Sequence, residues 1–264
     1  MLNIEHLTVK YLHNEKASVE DFCLSMKPGE IVSIVGESGS GKTTVIRSVI
    51  GALSREGRIT SGSIHFQGED TGSFSPEQWR QKRGTVMSMI FQDAGAALNP
   101  VRRIGSQFVE YIRTHDKSLT RPQAREKAAA MLKSMRLPDP QGLMKAYPFQ
   151  LSGGMKQRVA IAMAMTFHPD LLLADEPTSA LDVTTQAQII RQMLELRRDQ
   201  GTAILLVTHN LGVAAYMSDR LVVMKDGRIV ETGTRDQLLR CPGDPYTKKL
   251  LAAVPSVGGE RFVD

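Results

Sequence analysis

Two stretches of this 264-residue chain carry the groups that hold an anion: GESGSGKTT at 36–44 and QLSGGMKQR at 150–158. In the first, Gly36, Gly39 and Gly41 let backbone N–H groups converge on an oxyanion with no side chain in the way. Lys42 adds a point charge, and the Thr43 hydroxyl can ligate Mg²⁺. In the second, Ser152, Gly153 and Gly154 precede MKQRVAIAMAMTF, a run with helical spacing. A hydroxyl, flexible N–H groups and the positive end of a helix dipole coincide there. One nucleotide needs one cradle, and the chain offers two.

The polar residues that end apolar runs come next. LLLADEP, at 171–177, closes on two carboxylates. Asp175 is placed to hold a magnesium ion through water, and Glu176 to accept a proton from an attacking water. Alone, this pair would read as an acidic cap on the following helix; beside the loop at 36–44 the chemical role is favoured. His209 ends the run AILLVT and is a candidate contact for a terminal phosphate. Gln92, in MIFQD, has an amide that could ligate Mg²⁺ or orient water. Tyr11 either stacks on an adenine or is an ordinary edge aromatic, and both readings stand.

The elements that must position these groups can be read from periodicity. LNIEHLTVKY and VEDFCLSM alternate with period two, as half-exposed antiparallel strands do. IVSIVG is a continuous β-branched run typical of a buried parallel strand, and it feeds GESGSGKTT and then the helical TTVIRSVIGAL. SGSIHFQG and TVMSMIFQ are further strands. From about 104 to 168 the pattern is all helical, with Pro-containing breaks at LPDPQG and YPFQ. Strands return in DLLLAD, TAILLVTH and the DG hairpin RLVVMKDGRIVE, with VTTQAQIIRQMLELRRDQ and LGVAAYM as helices between them. Strand–loop–helix alternation broken by a helical block predicts an α/β P-loop core with an inserted helical subdomain.

Composition narrows the class. A formal net charge of +5 is modest, and the clusters RQKR at 80–83, RR at 102–103 and RR at 197–198 read as solvated faces without interleaved aromatics, so no nucleic-acid partner is expected. Cys23 and Cys241 form no CxxC, which argues against a disulfide framework or an all-cysteine metal site. The N-terminus lacks the apolar core of a signal peptide, and no apolar run reaches the roughly 20 residues that cross a bilayer. No NKxD occurs, which disfavours a GTPase.

GESGSGKTT, FQD, LSGGMKQR, LLLADEPTSALD and VTHN, in this order, resemble the ATP-binding subunit of an ATP-binding cassette (ABC) transporter over about residues 2–254. The resemblance implies a RecA-like P-loop NTPase core, an N-terminal antiparallel β subdomain and a helical subdomain inserted at about 93–168. Residues 1–254 would form a single nucleotide-binding domain and 255–264 a short tail. It implies ATP and Mg²⁺ as ligands. Tyr11 matches the adenine-stacking position, and Gly36 to Thr44, with Ser38, Ser40 and Thr44 included, the phosphate loop. Gln92 matches a switch glutamine, Ser152, Gly153, Gly154 and Gln157 the family signature, and Asp175 and Glu176 the magnesium and catalytic acids. Asp182, in SALD, matches an inter-subunit loop, and His209 the switch histidine.

In such proteins two cassettes meet head to tail, so the signature of one chain completes the site of the other, which accounts for the second cradle. FQDAGAALNP, AYPFQLSGGMKQR, DEPTSALDVTTQAQII and DPYTKKLLAAVP resemble the oligopeptide/dipeptide/nickel importer branch. AGAA at 94–97 departs from the Pro-Met-Thr-Ser-like stretch common there, which bears on partner identity. Longer members carry an iron–sulfur cluster in a cysteine-rich tail; with Cys241 as the only late cysteine, no cluster is expected here. The implied partners are transmembrane permease subunits, a second ATPase subunit (identical or paralogous) and, indirectly, an extracytoplasmic solute-binding protein, with the chain on the cytoplasmic face of the cell membrane. A non-transport ABC ATPase and an ATP-dependent regulatory switch are the alternatives.

Overall fold

The computed structural model describes residues 1–12, 14–179 and 181–253; the tail expected at 255–264 lies outside them. Strands β1 (Leu2–Tyr11) and β2 (Val19–Met26) pair antiparallel, with inward residues such as Ile4, Leu7, Val9, Phe22 and Leu24 buried and their neighbours exposed. β3 (Ile31–Val35) is buried on both faces and leads into α1 (Lys42–Val49). β4 (Gly57–Phe66) and β5 (Glu69–Asp70) complete a four-stranded sheet in the order β2-β1-β4-β5. Helix α2 (Pro76–Lys82) then precedes β6 (Met87–Ile90).

Between β6 and the next strand lie helices and turns: α3 (Ala94–Ala97), α4 (Ile104–His115), α5 (Arg121–Ser134), α6 (Pro140–Leu143) and α7 (Gly153–Met165). The breaks at LPDPQG and YPFQ hold α6 and a 3-10 turn at Pro148–Gln150. β7 (Leu171–Asp175), α8 (Val183–Gln200), β8 (Ala203–Thr208) and α9 (Leu211–Met217) restore the α/β alternation. β9 (Arg220–Lys225) and β10 (Arg228–Thr234) form the closing hairpin, followed by α10 (Arg235–Arg240) and α11 (Pro245–Ala252).

The second sheet has six strands in the order β10-β9-β3-β8-β7-β6, parallel except for β10. Alternation along its strands divides the core. Val32, Ile34, Leu171, Leu173, Leu205 and Val207 face Val45, Ile46 and Val49 of α1 and the antiparallel sheet. Leu172, Ala174, Ile204 and Leu206 face the helices of the inserted segment and of α8. Each fully buried side chain of this kind contributes about 1.5–3 kcal/mol, so both strand faces are committed to packing. Apart from the buried Ser33 and Ser88, the polar residues of the central strands project from their ends. Because β3, β8, β7 and β6 run parallel, their C-terminal ends share one edge, the edge at which open α/β sheets bind ligands.

Candidate functional site

The loop after β3 begins at Gly36 and ends at Gly41, which sits in a left-handed conformation (φ 99°) that starts α1. A Cβ at Gly41 would collide with the Ser18 carbonyl, and one at Gly36 with the Met224 carbonyl, so the residue before β2 and strand β9 pack closely against the loop. Gly39 (φ 81°) has open space where its Cβ would point. Ser38 and Gly39 form the exposed tip, and Ser40 is buried. Lys42 is 5% exposed, and its Nζ donates to Gly36 O (2.8 Å), Glu37 O (2.6 Å) and Ser40 Oγ (3.3 Å). Burial lowers the Lys42 pKa, a shift opposed by Glu176, Asp175 and Glu37.

At the end of β7, Asp175 is 3% exposed and accepts a hydrogen bond from Thr43 Oγ1 at 3.0 Å. Burial raises its pKa, with the Thr43 bond and Arg47 acting against that rise. These oxygens, one hydroxyl and one buried carboxylate, are the hard donors that a small divalent cation takes. Glu176 follows in a left-handed conformation, φ 45°, uncommon for a residue with a Cβ. Its N–H donates to Val207 O at 2.8 Å, which ties the strained residue to β8.

That conformation delivers the Glu176 carboxylate to two partners. Gln92 Nε2 donates to Oε2 at 3.2 Å, and His209 Nδ1 lies 3.0 Å from Oε1. Gln92 stands two residues beyond β6 and His209 one beyond β8, so three neighbouring strand ends converge on one carboxylate. Tyr11 ends β1 with its hydroxyl 3.4 Å from Thr44 Oγ1, and its ring lies over Gly57, where an added Cβ would come within 2.9 Å of it.

Ser152, Gly153, Gly154 and Gln157 lie elsewhere. Ser152 caps α7 by accepting from Met155 N at 3.3 Å and is exposed, as is Gly153. Asp182 caps α8, accepting from Thr185 N at 2.9 Å, and this bond leads the causes that lower its pKa. The two helix starts adjoin: a Cβ on Gly154 would lie 2.6 Å from Thr185 Cγ2. Gln157 is buried with its Nε2 unpartnered. Among the described residues, no hydrogen bond or ion pair joins this group to the loop at 36–44. The site residues thus fall into two sets, one at the sheet edge and one on the exposed starts of α7 and α8.

One contact has no counterpart in the sequence reading. Tyr246, on α11, accepts a hydrogen bond from the Glu37 N–H at 3.1 Å, so the C-terminal helix rests on the phosphate loop. The only signal was an aromatic in DPYTKKLL, with nothing to link it to residue 37.

The family model described as ABC transporter matches residues 19–179. The chain is 40% identical over 272 residues to the glutathione import ATP-binding protein GsiA of Escherichia coli O157:H7, covering 100% of this chain and 44% of GsiA, so it spans less than half of that relative. It is 40% identical over 264 residues to the dipeptide transport ATP-binding protein DppD of Escherichia coli strain K12, covering 99% of this chain and 80% of DppD. Among solved structures, a dimeric post-hydrolysis state of the ATP-binding cassette MJ0796 bound to ADP and Pi superposes with a TM-score of 0.79 and 28% identity, over 89% of this chain and 99% of that one. CbiO1 from Clostridium perfringens, part of the ABC transporter complex cbiONQ, gives a TM-score of 0.72 with 26% identity, over 90% of this chain and 89% of that one.

Proposed function

Because the chain belongs to the ABC transporter family, we propose that it hydrolyses ATP as the energising subunit of a membrane importer. The observation that carries this reading is the convergence of Gln92 and His209 on Glu176, beside the Lys42 loop and the Thr43–Asp175 pair. Glu176 is the general base: held by two partners, its carboxylate accepts the proton of a water attacking the γ-phosphate. Gln92 and His209 orient that carboxylate and the water; Lys42 and the loop N–H groups balance phosphate charge. Thr43 and Asp175 would hold Mg²⁺, which supplies further charge neutralisation at the phosphates. Tyr11 offers its ring to the adenine.

The exposed starts of α7 and α8 serve a second cassette. Among the described residues, no hydrogen bond or ion pair joins Ser152, Gly153, Gly154, Gln157 or Asp182 to their own loop, and one bound nucleotide needs no second cradle inside the same chain. We place them against the partner's ATP, in an identical or paralogous subunit, a reading that the likeness to the dimeric MJ0796 cassette supports. Closing the pair would move the inserted helices, with ATP favouring the closed arrangement.

An apolar cleft of about 740 Å³, lined in part by Met89, Phe91, Leu98, Tyr111 and Met163, opens beside the segment from Gln92 to Pro100. We assign it to the permease, on the cytoplasmic face of the cell membrane. No helix among the described residues is long and apolar enough to cross a membrane, so other chains would provide the span. The names of GsiA and DppD support a peptide or glutathione as the solute; nickel and an extracytoplasmic binding protein rest on the sequence resemblance alone. Affinity purification of the full chain from its host tests this: a permease and a cassette should copurify, and the complex should hydrolyse ATP with Mg²⁺. A purified complex without turnover would overturn the reading.

A further inference from the structure

Six cations surround one hollow of about 770 Å³ on the inserted helices: Arg102, Arg103, Arg113, Arg121, Arg125 and Lys145. In sequence they are scattered, and RR at 102–103 reads as a solvated face; the fold gathers them. Arg102 and Arg103 come from the segment leading into α4, Arg113 from its last turn, Arg121 and Arg125 from the first turns of α5, and Lys145 from the segment after α6. Among the described residues, the only acidic residue lining the hollow is Glu110, which leaves an excess of five positive charges there.

Little of that charge is neutralised internally. Arg102 pairs with Glu110, Arg113 Nε donates to Leu119 O at 3.2 Å, and the Arg103 guanidinium lies 5.7 Å from the Tyr147 ring centroid. Among the described residues, the side chains of Arg121, Arg125 and Lys145 make no hydrogen bond or ion pair, and Arg121 and Arg125 stand four apart on α5, where like charges repel. The hollow is within the volume range of small-molecule sites. Arginines outnumber lysine five to one, and the planar guanidinium fork matches a phosphate with two parallel hydrogen bonds where an ammonium offers a point charge.

We propose that this hollow binds anionic phosphate, either the headgroups of an anionic phospholipid surface or a soluble polyphosphate, independently of the nucleotide loop. The test titrates the full chain with tripolyphosphate by calorimetry and floats it on phosphatidylglycerol vesicles, with phosphatidylcholine vesicles as the control. The loop at 36–44 provides one tripolyphosphate event in every variant, so the wild type should show two events per chain and Arg121→Gln/Arg125→Gln one, with affinity at the hollow weakened roughly tenfold or more per lost contact. Arg240→Gln/Lys249→Gln removes equal charge from exposed positions on α10 and α11 and should retain both events. Unchanged melting temperatures establish that both variants fold. Arginine-dependent flotation on phosphatidylglycerol identifies the lipid source, and tripolyphosphate binding without flotation identifies a soluble one. A single event in the wild type without flotation, or equal losses in both variants, would overturn the proposal.

Discussion

His209 Nδ1 lies 3.0 Å from Glu176 Oε1, although the two residues belong to different strand ends. The contact pairs a ring nitrogen with a carboxylate oxygen, and the ring and the carboxylate fix each other's orientation. With Gln92 on the other oxygen, Glu176 retains little freedom to turn away from a substrate at the loop. The geometry makes several outcomes measurable.

Ser152→Arg tests the division of the site into two chains. Ser152 is exposed and caps only its own helix, so the cradle at 36–44 stays intact. ATP affinity of the isolated chain, measured by fluorescence titration, should stay within about twofold, while turnover of the assembled complex should fall on the order of 100-fold, as when a single transition-state donor is lost. Lost affinity in the isolated chain would count against the two-chain arrangement.

Asp175→Asn separates catalysis from stability. Burial raises the Asp175 pKa above its unfolded value, so this residue favours the fold only at acid pH and detracts from it once pH rises past that value. At neutral pH the variant should melt at or above the wild-type temperature, while Mg²⁺-dependent turnover falls on the order of 100-fold. A clear drop in melting temperature would show that the charged Asp175 favours the fold by more than its burial costs.

His115 predicts a pH slope in stability. It lies between Tyr111 (4.9 Å between ring centroids) and Phe167 (5.6 Å), and burial, with Arg80 nearby, lowers its pKa. As pH falls through the ordinary histidine value of about 6.5, the unfolded chain takes up a proton that the folded chain resists. Stability should therefore drop on acidification and recover above that range. Melting curves of wild type and His115→Asn between about pH 5 and about pH 8 should show a shallower slope in the variant; identical slopes would remove His115 from the account.

The sequence reading was strongest where one residue type can do one job. The β-branched run ending in GESGSGKTT and the apolar run ending in Asp175 could only be buried strands with polar ends, and they are. Period-two alternation in LNIEHLTVKY and VEDFCLSM marked the antiparallel hairpin for the same reason. Pairings across long separations were not legible. Nothing in MIFQD or VTHN shows that Gln92 and His209 share one carboxylate, because sheet order decides it. Nor does any local signal mark the left-handed φ of Glu176, a tertiary constraint held by its bond to Val207. PEQWRQK lacked an apolar stripe, so α2 went unread, although Ser75 and Gln78 form a capping box at its start. The arginines around the hollow are separated by up to 23 positions between Arg102 and Arg125, and only the packing of α4 on α5 joins them.

The central claim is that Glu176 is the base of a site completed by a second chain, and Glu176→Gln tests it most directly. The amide keeps the size of the side chain but cannot take a proton from water, so ATP should still bind while hydrolysis falls by about 10²–10⁴-fold. Size-exclusion chromatography of the full chain with ATP and Mg²⁺ should then show a stable dimer that dissociates when the nucleotide is removed. A monomer with wild-type turnover under the same conditions would contradict both the role of Glu176 and the shared site.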